Sequence, residues 1–358
     1  MNKIKVVVFF GGCSPEYSIS LSSASGIIMN IDPEKYDVLT VGITRDGDWY
    51  YYTGPVDKLL SDTWQNPQDC TPAALSPNRR ENCLLLIKNE SVTRVPFDIA
   101  FPVLHGCNGE DGTIQGMLEM SGIPIAGCGT LASALGMDKD RAHKLVSLAG
   151  VRVPRHLVLE KETLPAQQNV LCTKAEAFAE EIGYPLYVKP VKAGSSFGIT
   201  KVARRQDLAD AISLAFQYDS QVLVEENIEG FEVGCAVLGN RELTVGEVDE
   251  IELAGGLFDF TEKYTLKTSS IHVPARIPVS KSDEIKETAK CIYRALGCTG
   301  FTRVDMFLTP AGQVIFNEIN TIPGFTEHSR YPGMMKAAGH PLREVLTRIL
   351  ELALEEKA

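Results

Sequence analysis

Three apolar runs in residues 1–130 end on glycine-rich turns, and this repetition constrains the fold more than any other feature of the chain. Lys5–Phe10 runs into Gly11-Gly12, Asp98–Leu104 into the stretch from Gly106 to Gly112, and Ile123–Ala126 into Gly127. Asp37–Ile43 is a further run of the same kind. Strand, glycine-rich turn and helix in succession predict an open parallel α/β sheet, with ligands at the C-terminal strand ends. Residues 51–95 interrupt that order. They are polar and weakly periodic and carry Pro67, Pro72 and Pro77, which predicts an insertion of low regularity.

The character changes near residue 131. Lys139 to Leu148 reads as a helix in a segment that Pro154 closes. Strand candidates follow at Leu186–Val188, Ile199–Val202, Val222–Glu225, Glu232–Leu238 and Leu243–Val248. Longer antiparallel strands with helices between them predict α+β domains. In the tail, Leu342, Val345, Leu346, Ile349 and Leu350 recur at helical spacing. The expected division is an α/β domain over 1–130 and two α+β units over 131–215 and 216–358.

With 358 residues, 44% hydrophobic and 23% charged, the chain has the composition of a soluble globular protein with room for two or three domains. A net charge of -11 without a basic block argues against nucleic acid or an anionic membrane surface as partner. The first apolar run meets Gly11-Gly12 and is too short for a signal segment, and no stretch approaches the ~18 apolar residues of a membrane span. The nine cysteines are scattered and form no CxxC. Neither a disulfide framework nor a zinc site is expected, and a reducing cytoplasm fits. Cys107, in a glycine-rich loop, reads as an inert thiol.

The chemistry concentrates near residue 305. Arg303-Val304-Asp305-Met306-Phe307 and the run from Val314 to Thr321 flank a turn at Pro310-Ala311-Gly312, a two-strand pattern. Asp305, Glu318 and Asn320 offer hard oxygen ligands of the kind Mg2+ prefers. Arg303, two residues before Asp305, shares its strand face. A cation beside metal-binding carboxylates suits a reaction that builds negative charge, such as phosphoryl transfer. The alternative is an edge hairpin with solvated acids.

Lys189 ends a short apolar run and precedes Ala193-Gly194-Ser195-Ser196. Glycines admit close backbone approach, consecutive amides bind anions, and a lysine adds a point charge for phosphate. The lysine precedes the glycines, so this is not a P-loop; a solvated hairpin turn is the competing reading. Between two apolar runs, Glu225, Glu226, Glu229 and Glu232 can accept from an adenine amino group or a ribose hydroxyl, or form an exposed acidic turn. His105 ends an apolar run beside the Gly106–Gly112 loop, where α/β sheets bind ligands; a structural histidine is the alternative.

Taken in order, these blocks resemble the D-alanine:D-alanine ligase family of ATP-grasp enzymes. The similarity runs from Val7 to Leu350. It covers Gly11-Gly12, Glu16, Ser20-Leu21, His105 through Gly116, Met137-Asp138-Lys139 and Lys189-Pro190 with Gly194-Ser195-Ser196. Glu262-Lys263-Tyr264, Arg303-Val304-Asp305 and Asn317 through Phe325 complete it. The resemblance implies an ATP-grasp fold, an N-terminal open parallel α/β domain with two α+β domains enclosing the nucleotide. It implies a cytoplasmic homodimer, paired through the first domain, that joins two D-amino acids with a carbon–nitrogen bond for peptidoglycan precursors.

By the same resemblance, Asp305, Glu318 and Asn320 hold two Mg2+ ions, with Mn2+ as an alternative metal. Lys139 and Lys189 hold the nucleotide phosphates, and Ser196 belongs to the same loop. Glu225, Ile228 and Glu232 match adenosine-binding positions. Lys263 reaches the γ-phosphate of ATP. Glu16 accepts the first substrate's ammonium, and Ser195 and Tyr264 link to it and close a cover loop against water. Arg303 and the Gly324 amide are oxyanion donors. Ser329 holds the second substrate's carboxylate, and His105 lies near the first substrate.

Two positions depart from the common D-alanine:D-alanine pattern. Phe258 stands where tyrosine is usual and Arg330 where leucine is usual. Both resemble the D-alanine:D-serine ligases of VanC and VanG type, as does the acidic Asp249, and the stretch Met137 to Lys144 is similar to VanG. An arginine can donate to a hydroxymethyl oxygen where a leucine wall cannot. Glu262-Lys263-Tyr264 argues for a peptide product over a depsipeptide. The expected substrates are D-alanine and D-serine. A housekeeping D-alanine:D-alanine ligase, with Phe258 and Arg330 as neutral variation, and a non-catalytic nucleotide sensor on the same fold remain the alternatives.

Overall fold

The strand Ile4–Gly11 is the centre of the first sheet, with Tyr36–Ile43 on one side and Ile99–Pro102 on the other, both parallel to it. Val6, Val7, Val8, Phe9 and Phe10 are all fully buried, because parallel strands carry cover on both faces. The helix Tyr17–Asn30 supplies part of that cover through Tyr17, Leu21, Ala24 and Ile27. The protein is described by a computed structural model over residues 3–89, 91–161, 165–253, 269–326 and 328–355.

The irregular insertion expected over 51–95 is instead an antiparallel extension of this sheet. Trp49–Tyr52, Cys70–Leu75, Cys83–Lys88 and Ser91–Pro96 each pair with the strand before them. Ser91–Pro96 is exposed along almost its whole length, so backbone pairing defines it and hydrophobic periodicity does not. Its Pro96 suits an edge. The strand expected at Ile123–Ala126 reduces to one bridge, Ala100 to Ile125, with Pro124 lacking the N–H a ladder needs.

Two further sheets follow among the described residues. In the second, Thr200–Val202, Leu186–Pro190, Gln221–Glu226 and His156–Glu160 run antiparallel in that order. In the third, Ser269–His272, Asp249–Leu253, Phe231–Leu238, Phe301–Leu308 and Val314–Asn320 do the same. The strand expected over Leu243–Val248 is displaced: only Thr244–Val245 pairs, and the longer strand begins at Asp249. The helix Lys139–Leu148 forms as expected, with Asp138 capping it by accepting from the Arg141 amide.

The C-terminal helix Leu342–Glu355 buries Val345, Leu346, Ile349 and Leu350 in one apolar cluster with Val6, Val8, Phe101, Phe325 and Tyr331. Phe325 sits edge-on to both Phe101 and Phe301, with centroids 6.2 and 5.4 Å apart. This packing brings the loop after Val314–Asn320 against the C-terminal end of the first sheet, where ligands of open α/β sheets bind.

Candidate active site

Two cavities of about 500 and 630 Å³ lie between the sheets. Lys139 and Glu318 line both, so the cavities meet at a cation and a carboxylate. The first cavity contains Glu16, His105, Ser195, Arg303, Gly324 and Ser329, with Arg330 in its wall. The second contains Lys189, Ser196, Glu225, Ile228 and Glu232.

At the junction, Asp305 pairs with Glu318 and Arg303 with Asn320 across neighbouring strands. A bulge between Asp305 and Met306 sets that register. Asp305 is 1% exposed. Arg303 donates to both its oxygens at 2.7–3.1 Å, and the Asn320 amide nitrogen donates at 2.9 Å. Two facing carboxylates and a carboxamide are a hard-oxygen set. No cluster of three or more His, Cys, Asp or Glu placed for a metal occurs among the described residues. With two protein carboxylates and a carboxamide, the set would suit a Mg2+ ion whose remaining ligands are phosphate oxygens and water.

In the second cavity Lys189 and Glu225, both nearly buried, pair at 2.6 Å. Lys139 donates to the carbonyl of Ala193 at 2.8 Å, which ties it to the loop that carries Ser195 and Ser196. Those serines have φ of +48° and +61°, a conformation uncommon outside glycine and a source of strain. Behind Glu225 stands His143, which donates from Nε2 to the carbonyl of Asn317 at 2.8 Å. Its Nδ1 faces Glu225 Oε2 at 3.9 Å. Burial lowers its pKa to about 4, despite the charge of Glu225, so the ring is neutral near pH 7.

In the first cavity Ser195 donates to Glu16, joining the second sheet's loop to the first. The glycines around Glu16 are tight: a Cβ on Gly194 would meet its Oε2 at 2.7 Å. His105 lies 3.1 Å from Ser23 Oγ, which also accepts from the Phe325 amide at 3.3 Å. Burial lowers the His105 pKa to about 4. A Cβ on Gly324 would meet Ser329 Oγ at 2.7 Å, so Gly324 and the Ser329 hydroxyl share one corner. Ser329 precedes the helix Arg330–Ala337 and accepts from the Thr326 amide at 2.9 Å.

Arg330, in the cavity wall, is held mainly by carboxylates. Its Nε and Nη2 donate to Asp249 at 2.7 and 2.8 Å, and its Nη1 to Glu232 at 2.6 Å with Asp305 3.3 Å away. Glu232, expected at the adenosine, thus also belongs to the arginine's shell. Phe258, Lys263 and Tyr264 lie outside the described residues. Sequence reasoning assigned no role to Ser23, Glu110 or His143. The signal for Glu110 was present, since it falls inside the His105 to Gly116 block. His143 likewise falls inside the Met137 to Lys144 stretch, whereas Ser23 sits in a helix two residues past Ser20-Leu21.

Two family models match the chain: "D-ala D-ala ligase N-terminus" over residues 5–128 and "D-ala D-ala ligase C-terminus" over residues 145–351. The D-alanine--D-alanine ligase of Caldicellulosiruptor bescii is 43% identical, over 99% of this chain and 96% of that one. The vancomycin C-type resistance protein VanC1 of Enterococcus gallinarum is 44% identical, over 99% of each. The crystal structure of the VanG D-Ala:D-Ser ligase from Enterococcus faecalis matches with a TM-score of 0.89 at 53% identity, covering 98% of this chain and 100% of that one.

Proposed function

Because this chain belongs to the D-alanine–D-alanine ligase family, an ATP-dependent group that forms peptide bonds between amino acids, we propose that it joins D-alanine to D-serine. The product would enter peptidoglycan precursors with altered termini, as in vancomycin resistance. The supporting observation is Arg330, in the wall of the amino-acid cavity next to Ser329 and held from behind by buried Asp249. Nη2 carries two N–H groups. One is on Asp249, and the second is assigned to the hydroxyl of D-serine.

The residues divide the work as follows. Glu225, Ile228 and Glu232 take the adenosine, and Lys139, Lys189 and Ser196 the phosphates, with Lys263 at the γ-phosphate. Bound at Asp305, Glu318 and Asn320, two Mg2+ ions, or Mn2+ in their place, would neutralise phosphate charge. Glu16 accepts the ammonium of D-alanine near His105, and Ser195 and Tyr264 hold Glu16 and the cover loop. The D-alanine carboxylate attacks the γ-phosphorus, giving an acyl phosphate and ADP. The amine of D-serine, its carboxylate on Ser329 and the first amides of the helix Arg330–Ala337, then attacks the acyl carbon. Arg303 and the Gly324 amide stabilise the tetrahedral oxyanion, which collapses to the peptide bond and phosphate. Phe258 leaves room for the hydroxymethyl group. A second copy of the chain, paired through the first sheet's domain, and a cytoplasmic setting complete the proposal. No helix of the described residues is long and apolar enough to cross a membrane.

Phosphate release and dipeptide identity, measured with ATP, D-alanine and either D-alanine or D-serine as second substrate, test this. Higher kcat/KM with D-serine supports it. Higher kcat/KM with D-alanine replaces it with the housekeeping reading, and no release with either substrate supports a nucleotide sensor.

A further inference from the structure

Glu110 is a carboxylate in the amino-acid cavity that the roles above leave unused. It stands in the loop between the strand Ile99–Pro102 and the helix Thr113–Met120. One of its oxygens accepts from the backbone amide of Gly106 at 2.9 Å, and the other from the amide of Ile322 at 3.1 Å. Gly106 directly follows His105, and Ile322 stands two residues before Gly324. Glu110 therefore spans the loop at the first substrate and the loop of the oxyanion amide. The two belong to different sheets and are 212 residues apart across this bond.

We propose that Glu110 is a positioning residue for ligation: by holding both amides, it keeps the His105 loop and the Gly324 loop at one fixed spacing. A loop pair that drifts by about 1 Å separates the acyl carbon from its oxyanion donor, with a large loss of rate. Only a glutamate fits this duty. Two diverging N–H donors need two acceptor oxygens. Glutamine would turn an NH2 group against one amide, and aspartate is one methylene short. The charges acting on Glu110 are those of Glu16 and Arg303. Burial and Glu16 raise its pKa to about 8, while the two amides pull it down. A substrate ammonium beside Glu16 favours the ionised form, whose bonds to amides are stronger. Substrate binding would then tighten the clip.

The inference rests on the ligase reading, so the wild-type chain is measured first. If it forms no dipeptide, the ligase reading fails, and this proposal with it. If it does, Glu110→Gln and Glu110→Asp are assayed for kcat, for KM of each substrate, and for ATP hydrolysed per dipeptide formed. The expected result for Glu110→Gln is a loss in kcat of about 10- to 100-fold, the effect of leaving one buried donor unpaired. ATP hydrolysed per dipeptide should rise, with KM for ATP unchanged. Glu110→Asp, which keeps the charge but shortens the reach, should lose kcat in the same way if Glu110→Gln does not fold. Wild-type kcat and coupling in both variants would overturn the proposal. So would a loss that appears equally in KM for ATP and in thermal stability, which would mark Glu110 as structural only.

Discussion

Arg330 and Asp249 meet as a two-pronged pair, Nε to Oδ2 at 2.7 Å and Nη2 to Oδ1 at 2.8 Å, with the aspartate fully buried. Asp249 opens a strand of the third sheet and Arg330 opens a helix 81 residues later. The fork fixes the plane of the guanidinium before any substrate arrives. A change at either residue therefore acts on stability as well as on the pocket.

Arg330→Leu leaves Asp249 buried without its counter-charge, which should destabilise the fold by about 3–5 kcal/mol. Arg330→Leu combined with Asp249→Asn should recover much of that loss, so the two effects will not add. Urea midpoints of the three variants measure it; strict additivity would show that the pair is uncoupled. In the double variant the ratio of kcat/KM values should move from D-serine towards D-alanine by roughly 10- to 100-fold, the worth of one hydrogen bond from a charged donor.

Asp305→Asn and Glu318→Gln should each lower turnover by roughly 100-fold or more. Asp305→Asn also leaves Arg303 and Arg330 without a shared carboxylate, so it should cost more stability than Glu318→Gln. Near-full activity with an ordinary Mg2+ dependence in either variant refutes the metal assignment.

Ser195→Ala removes the hydroxyl that donates to Glu16. KM for the first substrate should rise by roughly tenfold or more, as a hydrogen bond to a charged group is lost. The ratio of phosphate released to dipeptide formed should increase if, as proposed, this link helps to shield the acyl phosphate from water. An unchanged ratio with unchanged KM would count against the Glu16–Ser195 link as a catalytic contact.

His105 and His143 are both buried, with pKa values lowered from 6.5 to about 4. The unfolded chain takes up a proton on each below its ordinary pKa, whereas the folded chain does so only near 4. Stability should therefore fall as pH drops from 6.5 towards 4, with each histidine contributing up to about 3 kcal/mol. His143→Phe should flatten part of that slope. Denaturation at about pH 7 and about pH 5 compares the slopes; identical slopes in variant and wild type would mean that His143 titrates normally.

What the sequence determined by itself was local. Arg303 and Asp305 share a face because side chains alternate along a strand, and Glu318 and Asn320 share one for the same reason. The helix Lys139–Leu148 and the tail helix were legible because burial repeats at the helical period. The edge strand Ser91–Pro96 was not, because its side chains are exposed and backbone pairing alone defines it. The contacts that convert these parts into a site were decided only in three dimensions. Arg330 finds Asp249, His105 finds Ser23, and Glu110 finds the Ile322 amide, at separations of 81, 82 and 212 residues. Both partners of Glu110 are backbone amides, which carry no residue identity. A bulge after Asp305, invisible in composition, sets Asp305 opposite Glu318. Packing of Phe325 against Phe101 and Phe301 then holds the loop after Val314–Asn320 at the mouth of the first sheet.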